Sequence, residues 1–586
     1  MNRRHQPKRW RVLGGDADAE LRLHKELGVH PIVARLLVQR GLNTPEAAEF
    51  FLNPSLSRMH DPFLLPDAET ACERIKKALA SNEKIKIHGD YDGDGVTSAA
   101  LWARCLKALG ADVDVFVPHR QNDGYDMRSS FIDKAREEGV GLIITTDCGI
   151  QRCEEVEHAR ALGMDVIVTD HHIPNADGSL PKAVAIVNPQ RRDSCYPFRE
   201  LAGVGVAFKL CEALTMHLGH KVAGYRNSFL DLAAIGTITD MMPLIDENRI
   251  IVKHGLEALR HTKKPGLRAL LDVSGVGDQP LNVGNVSFGI GPRLNAAGRI
   301  DETQIALDTL MLTTKEALHD SERASSLARK LNELNAQRRE DQKRVQDEAF
   351  AMVAQQDVAD ARCLVICGEN WSSGIVGLVA GKVVQQFHRP CVVIAMDGSG
   401  RGKGSARSIP GFHMLAAIDS CKMLLEEYGG HALAAGLSIS RENVDDFAHQ
   451  MNSIAAASLS DEDCVAMLEP AMEVDPSAMN RELLKEIEAL APFGSGNPSP
   501  LFVSRGVPVT NILTMGKEKE HLKFILGVEG PNYRGTIDAP WFYRGGMAQM
   551  LQPDCTLDLC YQPNINDFNG RQSVQFIIED VNAPEW

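Results

Sequence analysis

The sequence predicts a multidomain α/β protein: a parallel-sheet domain, a long connecting helix, a smaller α/β domain and a C-terminal β-barrel. Three observations carry this reading. Residues 84–240 alternate apolar, strand-like runs with helical patterns, and strands buried on both faces between helices form parallel sheets. Residues 315–357 hold one helical pattern without Gly or Pro. Beyond residue 466 the chain turns to short strand-like runs separated by Gly, Pro and Asn.

In chain order, residues 1–80 read as a helical region. LHKELGVHPIVARLLVQRGL places apolar residues at Leu27, Ile32, Leu36 and Leu37, and Thr44-Pro45 is an N-cap followed by Pro at the first helical position. Residues 81–312 form the expected main domain. Its strand-like runs are KIKIHGD, ADVDVFVP (111–118), GLIITTD (141–147), MDVIVTD (164–170) and AVAIVNP (183–189). Ligands of such sheets bind outside the carboxyl ends of the strands. Acids stand there: Asp90, Asp92 and Asp94 on a glycine-rich turn, then Asp147, then Asp170 followed by His171 and His172. Asp240 closes a further apolar segment, LAAIGTITDMMPL. Carboxylates converging on one edge raise each other's pKa unless a cation neutralises them. Hard oxygen ligands on a short loop suit Mg²⁺ or Mn²⁺. The stretch VGNVSFGIGPRLNAAGRID (283–301) reads as a glycine-rich loop with Arg293 and Arg299, phosphate-facing or simply solvated.

The connecting helix is expected over 313–358, spanning on the order of 60 Å. Residues 359–460 start a second α/β unit, with a basic glycine segment, GSGRGKGSARSIPGFH (398–413), that suits an anionic phosphate as well as a flexible surface loop. Residues 461–586 fit a small antiparallel barrel of the oligonucleotide-binding kind, with Lys517, Lys519, Lys523, Arg534 and Arg544 on or beside its strands.

Composition narrows the classes. An apolar fraction of 44% supports ordinary cores. The 13 cysteines include no CxxC pair, and Cys363/Cys367 and Cys148/Cys153 lack the partner pairs of a zinc site. Free thiols in a reducing cytoplasm are expected. The basic N-terminus lacks the apolar stretch of a signal peptide, and no apolar run is long enough to span a membrane. No G-x-x-x-x-G-K-[ST] loop occurs, which speaks against ATP-driven work. The net charge of −15 leaves nucleic-acid binding open, because charge distribution matters more than its sum.

Together these motifs resemble the DHH phosphoesterase superfamily, named for the triplet at 170–172. The resemblance rests on HGDYDGDG (88–95), NDGYDM (122–127), TTDCGI (145–150), VTDHH (168–172), NP (188–189) and LAGVGVAFKL (201–210). It extends through GTITDMMPL (236–244), GPRLNAAGRID (291–301), LNELNAQRR (331–339), GSARS (404–408), GGHALAAGLS (429–438) and APFGSGNPSPLF (491–502). Within the superfamily the similarity is to its bacterial single-stranded-DNA-specific 5′→3′ exonucleases.

That resemblance implies phosphodiester hydrolysis with two Mg²⁺ or Mn²⁺ ions, in DNA recombination and repair. It implies that Asp92 and Asp94 bind one ion each and that Asp147 bridges them. His171 and Asp240 would complete one shell, and His88 would be a further ligand. Asp90 would support the site, Asp170 would orient its neighbours and His172 would face the scissile phosphate. Ser405, Arg407, Ser408 and His431 match phosphate-contacting motifs of the DHH-associated domain, and Arg120, Arg293 and Arg299 match basic positions near a 5′ end. Single-stranded DNA, single-strand-binding protein and a helicase are the implied partners of a monomeric, cytoplasmic enzyme. The chain reads Trp371-Ser372 where the family usually has Trp-His. A small-molecule phosphoesterase would need neither the long chain nor the barrel, and a non-enzymatic scaffold would have lost ligands that this chain keeps.

Overall fold

A computed structural model describes residues 8–118, 126–277, 279–300, 302–320, 322–355, 361–530, 534–549, 551, 555–568 and 570–582. It divides into two units: Pro54–Leu459 with Gly494–Gly496, and Met1–Asn53 with Ser460–Phe493 and Asn497–Trp586.

The first unit is built on a five-stranded sheet of β1 (Ile85–Gly89), β2 (Val113–Phe116), β3 (Leu142–Thr146), β4 (Asp165–Thr169) and β5 (Ala185–Val187). All pairings are parallel, and the order is β2-β1-β3-β4-β5. Alternation sends Ile85, Ile87, Leu142, Ile144 and Ile167 into one core with Trp102 and Phe208. Ile143, Val166, Val168 and Ile186 enter another with Phe131 and Val156. With both faces buried, only the strand ends are left for chemistry. The chain reverses direction across the sheet between β1 and β3, the switch point where such folds bind ligands. Gly89 pairs with Thr146, Thr146 with Thr169 and Thr169 with Val187. The next residues, Asp90, Asp147, Asp170 and Asn188, therefore leave the sheet side by side.

Several sequence expectations change. The expected loop 283–301 is helical: a short turn, a π-turn over Val286–Ile290 and a helix over Gly291–Ile300. Pro292 directly follows the π-turn, inside one continuous helical run from Val283 to Ile300. The glycines serve packing. A Cβ on Gly291 would lie 2.5 Å from Thr239, and one on Gly298 would lie 2.4 Å from the Tyr91 carbonyl. The long helix is also shorter than expected. Thr314–His319 is a separate turn capped by Thr313 and Glu316, and the continuous helix is Arg323–Gln355.

That helix leads to a second five-stranded sheet, of β6 (Leu364–Glu369), β7 (Cys391–Met396), β8 (Arg401–Arg407), β9 (Leu425–Gly430) and β10 (Ala434–Ser440), ordered β9-β10-β8-β7-β6. The centre of the basic glycine segment, Arg401–Arg407, is thus strand β8, with turns on either side. Its Gly402 and Gly404 leave room for Ile394 and Leu437 of neighbouring strands.

The other unit joins both ends of the chain. Helices Ala17–Leu27, Pro31–Gln39 and Pro45–Leu52 place Leu23, Leu36 and Leu37 in one core with Phe502, Phe524, Tyr561 and Phe576. The expected 1–80 region is accordingly divided after Asn53. Thr44 caps its helix through a bond from Ala47 N–H, as its sequence suggests. Strands Phe502–Met515, His521–Glu529, Arg534–Trp541, Thr556–Phe568 and Arg571–Asn582 form the barrel, closed by pairing of the first with the fourth. Among the described residues no helix is long and apolar enough to cross a membrane.

Candidate metal centre

The acidic turn after β1 is fixed by backbone bonds. Asp92 is the N-cap of helix Gly93–Ala108, its Oδ1 accepting the N–H groups of Asp94 and Gly95, both at 3.0 Å. Glycine is required at 95, because a Cβ there would lie 2.5 Å from the Asp90 carbonyl oxygen. Gly93 N–H donates to Asn295 Oδ1 at 2.6 Å, pinning the turn to helix Gly291–Ile300. Asp94 is held from the far side: its two oxygens accept the N–H groups of Gly203 (2.7 Å) and Val204 (2.9 Å), at the start of helix Gly203–His217. This N-terminus favours the anionic form.

Asp147 follows β3 at a φ of 63°, a left-handed conformation that Asp tolerates better than most residues. Its Oδ1 lies 3.1 Å from His171 Nε2, yet this buried oxygen has no hydrogen-bond partner. Asp90 Oδ1 is buried without a partner too. Asp170 is the opposite case. Its Oδ1 accepts His171 N–H (2.7 Å), His172 N–H (3.1 Å) and the His172 ring at Nδ1 (2.7 Å), and its Oδ2 accepts Ile150 N–H (3.0 Å). Asp170 is saturated, which suits an orienting residue.

The ligand atoms fall into groups within 4.8 Å: Asp94, His171 and Asp240; Asp90, Asp92 and Asp147; and Asp147, His171 and His172. The first two share no member, and the third joins them through Asp147 and His171. Electrostatics follows from this crowding. Burial, then the charge of Asp92, raises Asp90 well above the usual carboxylate range and pushes Asp94 up to about 7. Burial and the neighbouring acids likewise raise Asp147 and push Asp240 up to about 8. Burial would raise Asp170 as well, but its bond from His172 wins and lowers it. Burial would lower His172, but the Asp170 carboxylate carries it up to about 9. Burial and the neighbouring His172 charge push His171 down to about 4, leaving it a neutral donor at pH 7. Orphaned acceptor oxygens among raised, mutually repelling acids are what a divalent cation would satisfy, and this oxygen-rich set with one or two imidazoles fits Mg²⁺ or Mn²⁺.

Comparison with known proteins decides the family. Residues 84–237 match the DHH family N-terminal domain, 360–457 the DHHA1 domain and 471–580 the RecJ OB domain. The single-stranded-DNA-specific exonuclease RecJ of Bacillus subtilis is 38% identical over 99% of this chain and 71% of its own length. Its Escherichia coli counterpart is 33% identical over 94% and 96%. The chain belongs to the RecJ family. A crystal structure of RecJ with Mn²⁺ from Thermus thermophilus superposes with a TM-score of 0.82 at 28% identity, covering 99% of this chain and 80% of that one. A second structure of the Thermus RecJ contains Mg²⁺. Both metals expected from the sequence thus occur in the RecJ family.

The remaining sequence candidates of this RecJ-family chain are placed as follows. His88 belongs to none of the three ligand groups. Its ring packs against Phe131 and Phe116, with Nδ1 3.5 Å from Cys148 Sγ. Asp90, expected beside the ligands with direct metal binding left open, is grouped with Asp92 and Asp147. Arg120 lies outside the described residues. Arg293 is spent within the fold, on Asn332 Oδ1 (2.8 Å) and the Gly289 carbonyl (2.6 Å). Arg299 reaches the Gly374 carbonyl at 2.8 Å, linking helix Gly291–Ile300 to the turn that follows Ser372. Ser405 and Arg407 bond each other at 3.2 Å, and a Cβ on Gly377 would meet both, so they lie under the first turn of helix Val376–Phe387. Ser408 Oγ donates to the Phe412 carbonyl, and His431 is exposed in the β9–β10 turn.

Sequence reading missed the supporting residues. Gly203 and Val204 act through their N–H groups, Asn295 through Gly93, and Asn188 donates to the His172 carbonyl at 2.9 Å. Their motifs were visible, but backbone donors leave no chemical signature in a sequence. Gly203 offers a direct check. A Cβ there would lie 2.5 Å from Asp147 Oδ1. Gly203→Ala should weaken Mn²⁺ binding roughly 10–100-fold in a calorimetric titration, and unchanged affinity would show that Asp147 gives way freely.

Proposed function

We propose that this chain is a metal-dependent, single-stranded-DNA-specific 5′→3′ exonuclease serving recombination and repair. The observation that carries the reading is the pair of orphaned carboxylate oxygens, on Asp90 and Asp147, within one ligand group that Asp147 links to a second at a RecJ-family sheet edge. Asp94, His171 and Asp240 would hold one ion and Asp90, Asp92 and Asp147 the other, with Asp147 shared. Two bound divalent ions clamp a phosphodiester, acidify a bound water and neutralise the leaving oxygen. His172 remains protonated at neutral pH, because Asp170 holds its Nδ1. Its Nε2–H is then the group that can donate to a phosphate oxygen or to the departing alkoxide. Asp170 keeps that ring and both histidine N–H groups in place.

Helix Gly291–Ile300 supports the substrate side of the reading. It touches the acidic turn through Asn295 and Gly298 and the second sheet's border through Arg299. Arg299, Ser405 and Arg407 would take the terminal phosphate of the strand, with Ser408, His431 and Arg120 shaping that end. Burial lowers the Arg407 guanidinium pKa, the mark of a cation held out of water. The barrel would guide the strand. Single-strand-binding protein and a helicase would supply single strands to a monomeric enzyme in the cytoplasm.

The test is one assay on 5′-phosphorylated strands labelled at either end, single or annealed. Mg²⁺ or Mn²⁺ should support hydrolysis and chelator should stop it. The 5′ label should leave first on short products, and the duplex should resist. Early release of the 3′ label would overturn the polarity, and equal duplex hydrolysis the strand preference.

A further inference from the structure

We infer that Asn248 is a positioning residue of the metal centre, its side-chain amide tying together the two segments that fix His171, Asp94 and Asp240. The inference rests on the reading that these three residues hold a divalent cation.

Helix Asp246–Arg260 begins shortly after Asp240, and its first turn, Glu247-Asn248-Arg249, is buried. Asn248 Nδ2 donates to the carbonyl oxygens of Glu200 (2.5 Å) and Pro243 (3.0 Å). Both partners are acceptors only, so the amide nitrogen must face them and the side chain has one orientation. Each carbonyl belongs to a segment with ligand-fixing duty. Glu200 directly precedes Leu201, whose backbone accepts a hydrogen bond from His171. Two residues further on, Gly203 and Val204 begin the N–H pair that holds Asp94. Pro243 closes the turn after Asp240, where Met241 stands at a φ of 57°. That unfavourable conformation needs external support, and the Asn248 bond to Pro243 supplies it.

The base of the clamp is rigid. Next to Asn248, Glu247 accepts His60 N–H (2.9 Å), Lys209 Nζ (2.9 Å) and the Tyr196 hydroxyl (2.5 Å), all in a buried network. Asn248 therefore projects from a fixed helix turn and sets the spacing between the 200–204 segment and the 240–243 turn. Losing its two donors would leave two carbonyls unsatisfied and free the segments to part, so that Asp240 and His171 no longer meet Asp94 at ligand distance.

Mn²⁺ titrations of the full-length chain by calorimetry, with melting temperatures taken alongside, test this. Asn248→Ala and the isosteric Asn248→Asp should both bind Mn²⁺ on the order of 10–100-fold more weakly. Thr215→Val is the control. It removes a buried hydroxyl bonded to the Cys211 carbonyl, away from the ligand segments, and should lose stability while keeping wild-type Mn²⁺ affinity. If Asn248→Ala does not fold, Asn248→Ser, which retains one donor, is read in its place and should bind with intermediate affinity. A folded Asn248 variant with unchanged Mn²⁺ affinity overturns the positioning role and leaves the metal reading intact. A wild-type chain that fails to bind Mn²⁺ overturns the metal reading and the positioning role with it.

Discussion

Replacing Asp147 by Asn should lower metal-dependent DNA hydrolysis at least roughly a thousandfold, or about 4 kcal/mol of barrier. Asn is the better choice than Ala, because Asp147 sits at a φ of 63°, a conformation Asn adopts readily and Ala does not. The backbone should stay as it is, so that the loss reports on charge and ligation alone. Asp147 is the acid that joins the two ligand groups, and its neutral amide cannot hold a cation between them. The same substitution should raise the melting temperature of the metal-free protein, since it removes a buried carboxylate with an unpartnered oxygen from among four other acids. Activity within tenfold of wild type would remove Asp147 from the centre. A lower metal-free melting temperature would mean that its carboxylate is a structural support.

The second large effect is on stability against pH without metal. Asp94 and Asp240 stand at about 7 and about 8 in the folded chain, against about 3.9 unfolded. Between those values the folded state binds more protons than the unfolded one, so stability falls as pH rises. His172, raised to about 9, contributes with the same sign above its unfolded value near 6.5. His171, lowered to about 4, works the other way, but only between that value and its unfolded value near 6.5. From about pH 6.5 to about pH 8.5 the metal-free melting temperature should therefore drop by on the order of several degrees. Mn²⁺ must displace the same protons to bind, so the stabilisation it gives should grow over that range. Fluorimetric melts in chelator and in Mn²⁺ across this window check both. A metal-induced shift independent of pH would mean that the acids are already ionised in the empty site.

Much of this centre was legible before any coordinates. Strand ends are legible because apolar runs stop where the chain leaves the sheet, and Asp90, Asp147 and Asp170 each follow such a run. The parallel register then aligns them without further instruction. His88 shows where this fails. Its ring packs on Phe116 of the neighbouring strand and Phe131 of the neighbouring helix, and the local motif does not reveal either. The glycine-rich stretches misled for another reason. Glycine permits turns, but it also permits close approach, and at Gly291, Gly298, Gly402 and Gly404 close packing of helices and strands was the use made of it. Arg293 looked like a free cation because sequence shows charge and not partners, whereas Asn332 and the Gly289 carbonyl occupy it. The supports of the site were least readable, since carbonyls and N–H groups are present at nearly every position.

The core shared by Leu23, Leu36 and Leu37 with Phe502 and Phe576 bears on how the chain is made. The helices before Asn53 leave the ribosome long before Ser460, and at 5–20 residues per second the wait is on the order of 20–80 s. Throughout that interval their apolar faces lack their partners. The segment Pro54–Leu459, by contrast, can complete the parallel sheet while the barrel is still being translated, and lacks only Gly494–Gly496 of its unit. A ribosome stalled near residue 460 should thus carry an assembled parallel sheet and an N-terminal segment still in need of a chaperone.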